Sequence, residues 1–130
     1  MLVFSEYQTD TIDLALDFYG YEDCPKNYEF GPSVRDNFVL HFITKGKGVF
    51  HINKNEIHLE AGDLFLLPKN MVTYYQADAE DPWSYYWIGI SGTKVSDFMR
   101  FSTLHAKGFL KKTEVDTERI GLFMEQLVHK

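Results

Sequence analysis

The stretch from Gly46 to Pro68, GKGVFHINKNEIHLEAGDLFLLP, decides the fold of this chain. Its first part alternates apolar with polar residues on both sides of a polar turn at 53–56: Phe50, Ile52, Ile57 and Leu59 against His51, Asn53, His58 and Glu60. Alternation of this kind is typical of strands with one buried face, and Asn and Lys between two such runs indicate a hairpin turn. Pairing the two arms puts the four apolar residues on one face and both histidines on the other.

The second part of this stretch predicts a tight turn followed by a buried strand. Gly62-Asp63 suits the turn, because Gly adopts positive φ and Asp can bond nearby backbone. The apolar run at 64–67 is typical of a strand covered on both faces, and Pro68 ends it by removing a donor. Hairpin, turn, apolar strand and Pro together resemble the middle of a small β-barrel of the cupin type.

Composition sets bounds on the class of protein. The chain has 130 residues, of which 45% are apolar and 16% aromatic, so we expect one folded domain. Its net charge of −6 and a pI near 5.3 give no electrostatic footprint for nucleic acid. The lone Cys24 cannot form an intrachain disulfide, and no 18-residue apolar span or signal peptide is evident. A soluble, cytoplasmic protein that does not contact a membrane is expected.

The flanking sequence predicts further strands. Ile12, Leu14, Leu16 and Phe18 alternate with Asp13, Ala15, Asp17 and Tyr19, which favours a strand whose apolar residues share one face. Over so short a run a helix remains the alternative. The Gly- and Pro-containing segment 20–32 is typical of loops around a short strand near 28–30, and strands are predicted over 35–44, 72–77 and 83–90. Residues 1–10 show no pattern and are interpreted as an arm.

After Ser91-Gly92 the spacing becomes helical. Val95, Phe98 and Met99 indicate one helix, and a second apolar stripe follows: Ile120, Phe123, Met124, Leu127 and Val128. The fold class predicted is therefore mainly β, a cupin-like (jelly-roll) β-barrel over 1–91 followed by a C-terminal helical pair over 92–130 in the same domain. The sequence stops at Lys130 within the second helical pattern, which suggests a trimmed chain or a continuation into another module.

Five histidines in a barrel raise the possibility of a metal centre. Gly62 and Pro68 match the spacing of the second cupin motif, but Asn70 and Thr73 stand where Gly and His are expected. His41 takes the place of the first motif's Glu, and its remaining ligand positions fall near 35 and 37. One imidazole is too few for a catalytic metal, so we predict neither a metal nor another cofactor.

Alternation instead predicts a polar, aromatic interior. Arg35 and His41 share one strand face, and Tyr75, Tyr85 and Trp87 lie on the corresponding faces of two later strands. Trp offers a flat plate for the CH face of a sugar, while Arg, His and Tyr supply directional hydrogen bonds. The alternative is that these aromatics only fill the barrel.

Two stretches of the chain resemble a known family. FGPSVRDNFVLHFITKGKG and LEAGDLFLLPKNMVTYYQADAEDPWSYYWIGISG are similar to the amino-terminal sensor domain of AraC/XylS-type transcriptional regulators, especially those of sugar operons. The resemblance covers roughly residues 12–104. It implies a cupin-like barrel that binds an effector, helices that dimerise, and a following domain with two helix-turn-helix units. That DNA-binding domain is absent from this sequence, so DNA contact is expected only through it.

The resemblance also assigns residues. The arabinose-responsive member binds its sugar with a Tyr that falls on Tyr75 and an aromatic pair that falls on Tyr85 and Trp87, with Tyr85 in place of a His. An Arg that contacts arabinose there aligns with Gly31. Arg35, four residues later, substitutes for it, or the ligand differs.

We therefore predict a non-catalytic domain that senses a small-molecule effector, a mono- or oligosaccharide, with ligand contacts from Arg35, His41, Tyr75, Tyr85 and Trp87. A homodimer is expected through residues 115–130, with Ile120, Phe123, Met124 and Leu127 at the interface. Two alternatives remain open: a small metal-dependent cupin enzyme acting on a sugar or sugar phosphate, and a packed interaction domain without a pocket.

Overall fold

The computed structural model describes residues 15–34, 37–92, 103–114 and 116–129. The strands are β1 (Ala15–Asp23), β2 (Glu29–Ser33), β3 (Phe38–Lys45), β4 (Lys47–Ile52), β5 (Asn55–Glu60), β6 (Leu64–Leu67), β7 (Thr73–Ala77), β8 (Ser84–Ser91) and β9 (Phe109–Leu110). Two helices are described, α1 (Thr103–Lys107) and α2 (Glu118–Val128). The chain is therefore mainly β, as predicted.

The strands form two antiparallel sheets. One sheet has five strands in the order β1-β8-β3-β6-β9, and the other has four in the order β2-β7-β4-β5. Buried side chains from both sheets pack together between them, including Val39 and Phe65 from the first and Phe50 and Tyr75 from the second. The described strands thus form two facing sheets, as in a jelly roll, and not one closed ring of hydrogen-bonded strands.

The hairpin predicted at 46–60 is formed by β4 and β5. Phe50 pairs with Ile57 and Ile52 with Asn55, so the predicted sharing of one face is confirmed, while the turn is two residues long and not the four of 53–56. Asn53 and Lys54 both have positive φ, at 52° and 66°. That pair of conformations belongs to the two-residue turn whose twist matches two antiparallel strands. The turn chemistry read from the sequence therefore fixes which face of the hairpin is buried.

The apolar run of β6 is covered on both faces, as expected. Leu64, Phe65 and Leu66 have no exposed surface. Phe65 and Leu67 belong to a core between the sheets, here called the inner cluster. Leu64 and Leu66 belong to a second core on the opposite side of the five-stranded sheet, here called the outer cluster. Strands of this sheet consequently contribute alternate residues to two different cores.

Strand β1 differs from its prediction in its length and in the sides of the sheet on which its apolar residues lie. It continues through Gly20 to Asp23, where loops were expected, and pairs with β8 throughout. The register shifts between Leu16 and Phe18. Leu16 therefore packs on the outer cluster and Phe18 on the inner one, so the expectation that they share a face is wrong. A bulge of this kind inserts one residue and reverses the alternation.

The C-terminal segment contains a strand that the sequence pattern did not reveal. Between α1 and α2, β9 pairs with β6 and extends the five-stranded sheet. The predicted helix around Val95, Phe98 and Met99 lies outside the described residues. None of the described helices has the length and apolar character required to span a membrane.

Helix α2 lies on the outer face of the five-stranded sheet. Met124 is completely buried in the outer cluster, and Ile120, Phe123 and Val128 pack partly buried against it. Gly121 lets the helix approach closely, because a Cβ there would lie 2.4 Å from the ring of Phe42. The sheet itself therefore covers Met124, which was expected at a dimer interface, and part of the surface of Ile120, Phe123 and Val128. The side chain of Leu127 lies outside what the structure describes.

Candidate ligand-binding pocket

A pocket of about 200 Å³ opens between the two sheets, on the inner side of β1, β3 and β8. Its aromatic walls come from Phe18, Tyr28, Phe30, Tyr75, Tyr85 and Trp87, and the rest of its lining from Glu22, Val39, His41 and Leu67. Ligand sites of small molecules are typically concave, largely apolar clefts with a few placed polar groups. This pocket has that character.

One wall is built by two reciprocal pairs of a glycine and an aromatic residue across β1 and β8. Phe18 stands opposite Gly89, and Trp87 stands opposite Gly20. A Cβ on Gly89 would lie 2.3 Å from the ring of Phe18, and one on Gly20 would lie 2.4 Å from the ring of Trp87. Each ring therefore covers a position that has no side chain. This packing fixes where the two rings can stand beside the pocket.

The base of the pocket is a buried cluster of polar-tipped aromatic residues. The hydroxyl oxygens of Tyr75 and Tyr85 are 3.1 Å apart and hydrogen-bonded. The ring of His41 stacks on Phe65 at a centroid distance of 4.3 Å and meets both tyrosine rings edge-on. Burial raises the pKa of Tyr75 and, still more, that of Tyr85. Both phenols therefore stay neutral and can donate as well as accept.

Four of the five residues predicted to contact ligand converge on this pocket. His41 comes from β3, Tyr75 from β7, and Tyr85 and Trp87 from β8. Their alternation along each strand is what brings them together. Arg35 lies outside the described residues. Contact between these side chains and a ligand stays a prediction.

Sequence reasoning missed a group of lining residues near the start of the domain. Phe18, Glu22, Tyr28 and Phe30 all line the pocket. Glu22 was assigned to a loop, although Phe18, Gly20 and Glu22 continue a period-two pattern. Gly inside a strand often marks a close approach of another residue, which was the available signal.

The geometry of the pocket bears on two alternatives, a packed domain without a pocket and a metal-dependent enzyme. The aromatics do not fill the interior, because a cavity remains between them. Among the residues that the structure describes, no three His, Cys, Asp or Glu side chains converge to hold a metal ion. His41 is instead enclosed by rings. The arrangement is suited to holding a small molecule by stacking and hydrogen bonding.

Solved structures establish the fold. The chain is similar to a predicted oxalate decarboxylase from Thermotoga maritima, with a TM-score of 0.53 and 16% identity over 65% of this chain and 73% of that one. It is equally similar to the cupin domain of Cnp3 from Schizosaccharomyces pombe, with a TM-score of 0.53 and 15% identity over 68% and 62%. The two-sheet fold is that of a cupin.

The sequence gives the family. Residues 15–130 match the AraC-like ligand binding domain, and the chain belongs to that family. It is 49% identical to the Msm operon regulatory protein of Streptococcus mutans over 102 residues, 78% of this chain and 37% of that protein. It is 42% identical to the raffinose operon transcriptional regulatory protein RafR of Pediococcus pentosaceus over 75% of this chain and 36% of that protein.

A third relative covers more of the chain. The lactose operon transcription activator of Staphylococcus xylosus is 31% identical over 92% of this chain and 43% of its own length. This chain thus spans between 36% and 43% of the length of these three regulators. It is a ligand-binding domain of the kind found in AraC-family operon regulators, as the resemblance implied.

Proposed function

We propose that this domain senses a sugar, and that its pocket binds the sugar by stacking on Trp87 and hydrogen bonding to Tyr75, Tyr85 and His41. The observation that carries the proposal is the pocket itself. It combines flat aromatic plates with hydroxyls that stay neutral at every physiological pH. Sugars present apolar CH faces and many hydroxyls, which is the complementary surface.

The relatives narrow the choice of sugar to test. Two of them are named for the raffinose and lactose operons. Raffinose and lactose share a galactose unit. We propose that a galactose-containing sugar is the effector of this domain. A pocket of about 200 Å³ suits one sugar ring better than a whole trisaccharide.

Tryptophan fluorescence provides the experiment. The chain has two Trp residues, and Trp83 is fully buried in the inner cluster while Trp87 lines the pocket. Adding galactose, lactose or raffinose is expected to change the emission of Trp87. Trp87→Ala should weaken binding measured by calorimetry by about 1–3 kcal/mol, as is common for a lost aromatic contact.

The matched control is Tyr19→Ala. Tyr19 is also an aromatic residue of the β1/β8 pair but is 49% exposed and does not line the pocket. Its substitution should leave affinity unchanged. Equal affinity of Trp87→Ala and wild type would remove Trp87 from the site, and absence of binding by all three sugars would contradict sugar sensing.

A homodimer is the second part of the proposal. Because Met124 faces the sheet, the surface available to a partner is the other side of α2, where Leu122 is 52% exposed, together with the partly buried Ile120 and Phe123. The proposed assembly is two-fold symmetric and involves residues 115–130. The proposed interface also includes Leu127.

Light scattering of the wild type and of Leu122→Glu tests this assembly. A charge at an exposed interface position should shift the mass toward the monomer. Ala79→Glu adds the same single negative charge at an exposed loop position outside residues 115–130 and serves as a control for charge alone. A wild type that is monomeric at high concentration would rule the dimer out.

The domain is proposed to act without catalysis, in the cytoplasm, and to affect DNA only through a helix-turn-helix domain elsewhere in a longer protein. The relatives are named as regulators, which supports this assignment. The competing enzyme would require a metal. Elemental analysis of protein purified without chelators separates the two, because near-stoichiometric transition metal retained by wild type and lost in His41→Ala would favour the enzyme.

A further inference from the structure

Glu22 is an acidic residue on the inner face of the five-stranded sheet. It stands on β1 directly opposite Tyr85 of β8, and directly opposed residues of an antiparallel pair point to the same side. Its side chain is partly buried and lines the pocket together with Tyr28 and Trp87. The bulge after Leu16 determines this orientation, because it sets the alternation of the remaining strand.

The carboxylate of Glu22 contrasts with that of its neighbour Asp23. Asp23 accepts hydrogen bonds from Tyr21 and Ser84 and lies 3.7 Å from the ammonium of Lys45. Glu22 accepts no hydrogen bond from the described residues and forms no ion pair with them. Among the described residues, no donor competes with water or a ligand for its acceptor positions at the pocket wall.

Glu22 is also the acidic group of the described pocket lining, and no Lys or Arg occurs among those lining residues. Burial is the main cause that raises the pKa of Tyr28, and the negative charge of Glu22 raises it further. Burial is also the main cause of the raised pKa of Tyr75, to which the charge of Glu22 makes a smaller contribution. Both effects have the direction expected of a negative charge placed beside the pocket.

We propose that Glu22 accepts hydrogen bonds from sugar hydroxyls and makes the pocket select an unphosphorylated sugar over its phosphate ester. This inference rests on the proposed sugar-sensing function and assigns the chemical class of its ligand. A carboxylate binds a pair of hydroxyls through charge-assisted hydrogen bonds, which are stronger than neutral ones. The same charge repels a phosphate, which carries nearly two negative charges at neutral pH.

The experiment measures binding of galactose, galactose 6-phosphate, lactose and lactose 6′-phosphate to the 130-residue chain by calorimetry. Wild type is expected to bind each free sugar at least about tenfold more tightly than its phosphate ester. Glu22→Gln keeps the shape and one acceptor but removes the charge. It should weaken binding of the free sugar about tenfold, the effect expected for losing a charged hydrogen bond, and should narrow the preference over the ester.

Glu80→Gln is the matched control. Glu80 is exposed in the acidic loop outside the pocket, and its substitution removes the same charge from the chain. It should leave both affinities unchanged. Circular dichroism and thermal melting of the two variants check that each is folded.

The outcomes separate this inference from the proposed function. If wild type binds free sugar and Glu22→Gln binds it equally well with the same preference, the role of Glu22 is excluded while sugar sensing stands. A wild type that prefers the phosphate ester also overturns the inference alone. Tighter binding of galactosamine than of galactose, lost in Glu22→Gln, would assign Glu22 to a cation instead. No binding of any of these sugars overturns both.

Discussion

The two faces of the five-stranded sheet are built from the same strands and differ in chemistry. The outer face is mostly aliphatic, with Leu40, Leu64, Leu66 and Ile88, and helix α2 covers it. The inner face carries histidine, tyrosine and tryptophan, and a cavity remains there. Alternate residues of one strand therefore belong to the outer cluster or to the lining of the pocket between the sheets.

This difference indicates a division of roles. A close-packed aliphatic core supplies stability but has no room for a ligand. Aromatic rings with polar tips supply less tightly filled space and specific hydrogen bonds. Substitutions on the two faces should thus separate stability from binding, even at adjacent positions.

The largest expected effect comes from truncating Leu66, which has no exposed surface in the outer cluster. Leu66→Ala should lower the free energy of unfolding by about 3 kcal/mol, because a buried cavity is left. Its neighbour Leu67 lines the pocket. Leu67→Ala should cost less, since the new space joins an existing cavity, but it should change sugar affinity.

Urea unfolding and calorimetry of the two variants test this contrast. The comparison is matched, because both residues are leucines of the same strand β6. Equal losses of stability, or a changed affinity in Leu66→Ala but not in Leu67→Ala, would contradict the division between the faces.

The free energy of unfolding should depend on pH through Cys24, which is buried in the inner cluster. This effect should be smaller than that of Leu66→Ala. Burial raises the pKa of the Cys24 thiol from 9.0 to about 11. Below pH 9 the thiol keeps its proton in both the folded and the unfolded chain, so the stability that depends on this neutral thiol is fully present. Between pH 9 and 11 only the unfolded chain releases it, and about 2–3 kcal/mol of stability is lost as the pH rises through this range.

Cys24→Ala is the reference for this pH dependence. Tyrosine and lysine side chains titrate in the same range in both proteins, so the difference between their stability curves isolates the thiol. A difference that stays constant from pH 8 to pH 11 would show that Cys24 does not contribute.

The smallest predicted effect concerns the ring of Trp87 over Gly20. Gly20→Ala places a methyl group 2.4 Å from a Trp87 ring atom, so the ring must move toward the pocket. The expected cost is about 1 kcal/mol of unfolding free energy, together with a shift of Trp emission. The cost should disappear when Trp87 is already Ala, and a double-mutant cycle measures this coupling. Additive effects would show that the two positions are independent.

Local sequence patterns predicted much of the fold. The β4/β5 hairpin and its buried face followed from alternation on both sides of a polar turn, although the turn is shorter than the predicted 53–56. The double coverage of β6 followed from an unbroken apolar run. The convergence of His41, Tyr75 and Tyr85 also followed, because strand alternation fixes the face of each. These features depend on residues close in sequence.

The missed features depend on partners far away in the chain. Residues 20–23 look like a loop until β8 supplies partners for them, and Glu22 was missed with them. Phe109–Leu110 is too short to predict alone and exists as a strand through pairing with β6. Met124 was predicted at a dimer interface because nothing local shows that α2 lies across the sheet. Each requires a contact that a sequence window does not contain.

The buried carboxylate of Asp63 joins the turn before β6 to the segment before α2. One of its oxygens accepts the backbone N–H of Glu60 at 2.9 Å, and the other accepts that of Lys112, also at 2.9 Å. Thr117 donates to the carbonyl of Gly62 beside it. Two loop segments 49 residues apart are thus held by one side chain.

This link has a consequence for the order in which the chain folds during synthesis. A ribosome delivers residue 63 well before residue 112, so the turn can form first and present a ready acceptor. Until the segment from Lys112 to α2 has been synthesised, helix α2 does not cover the aliphatic side of the sheet. Binding of Lys112 then closes the loop and brings α2 over that surface. The carboxylate of Asp63 thus helps to hold in place the segment that leads into the helix covering the aliphatic side of the sheet.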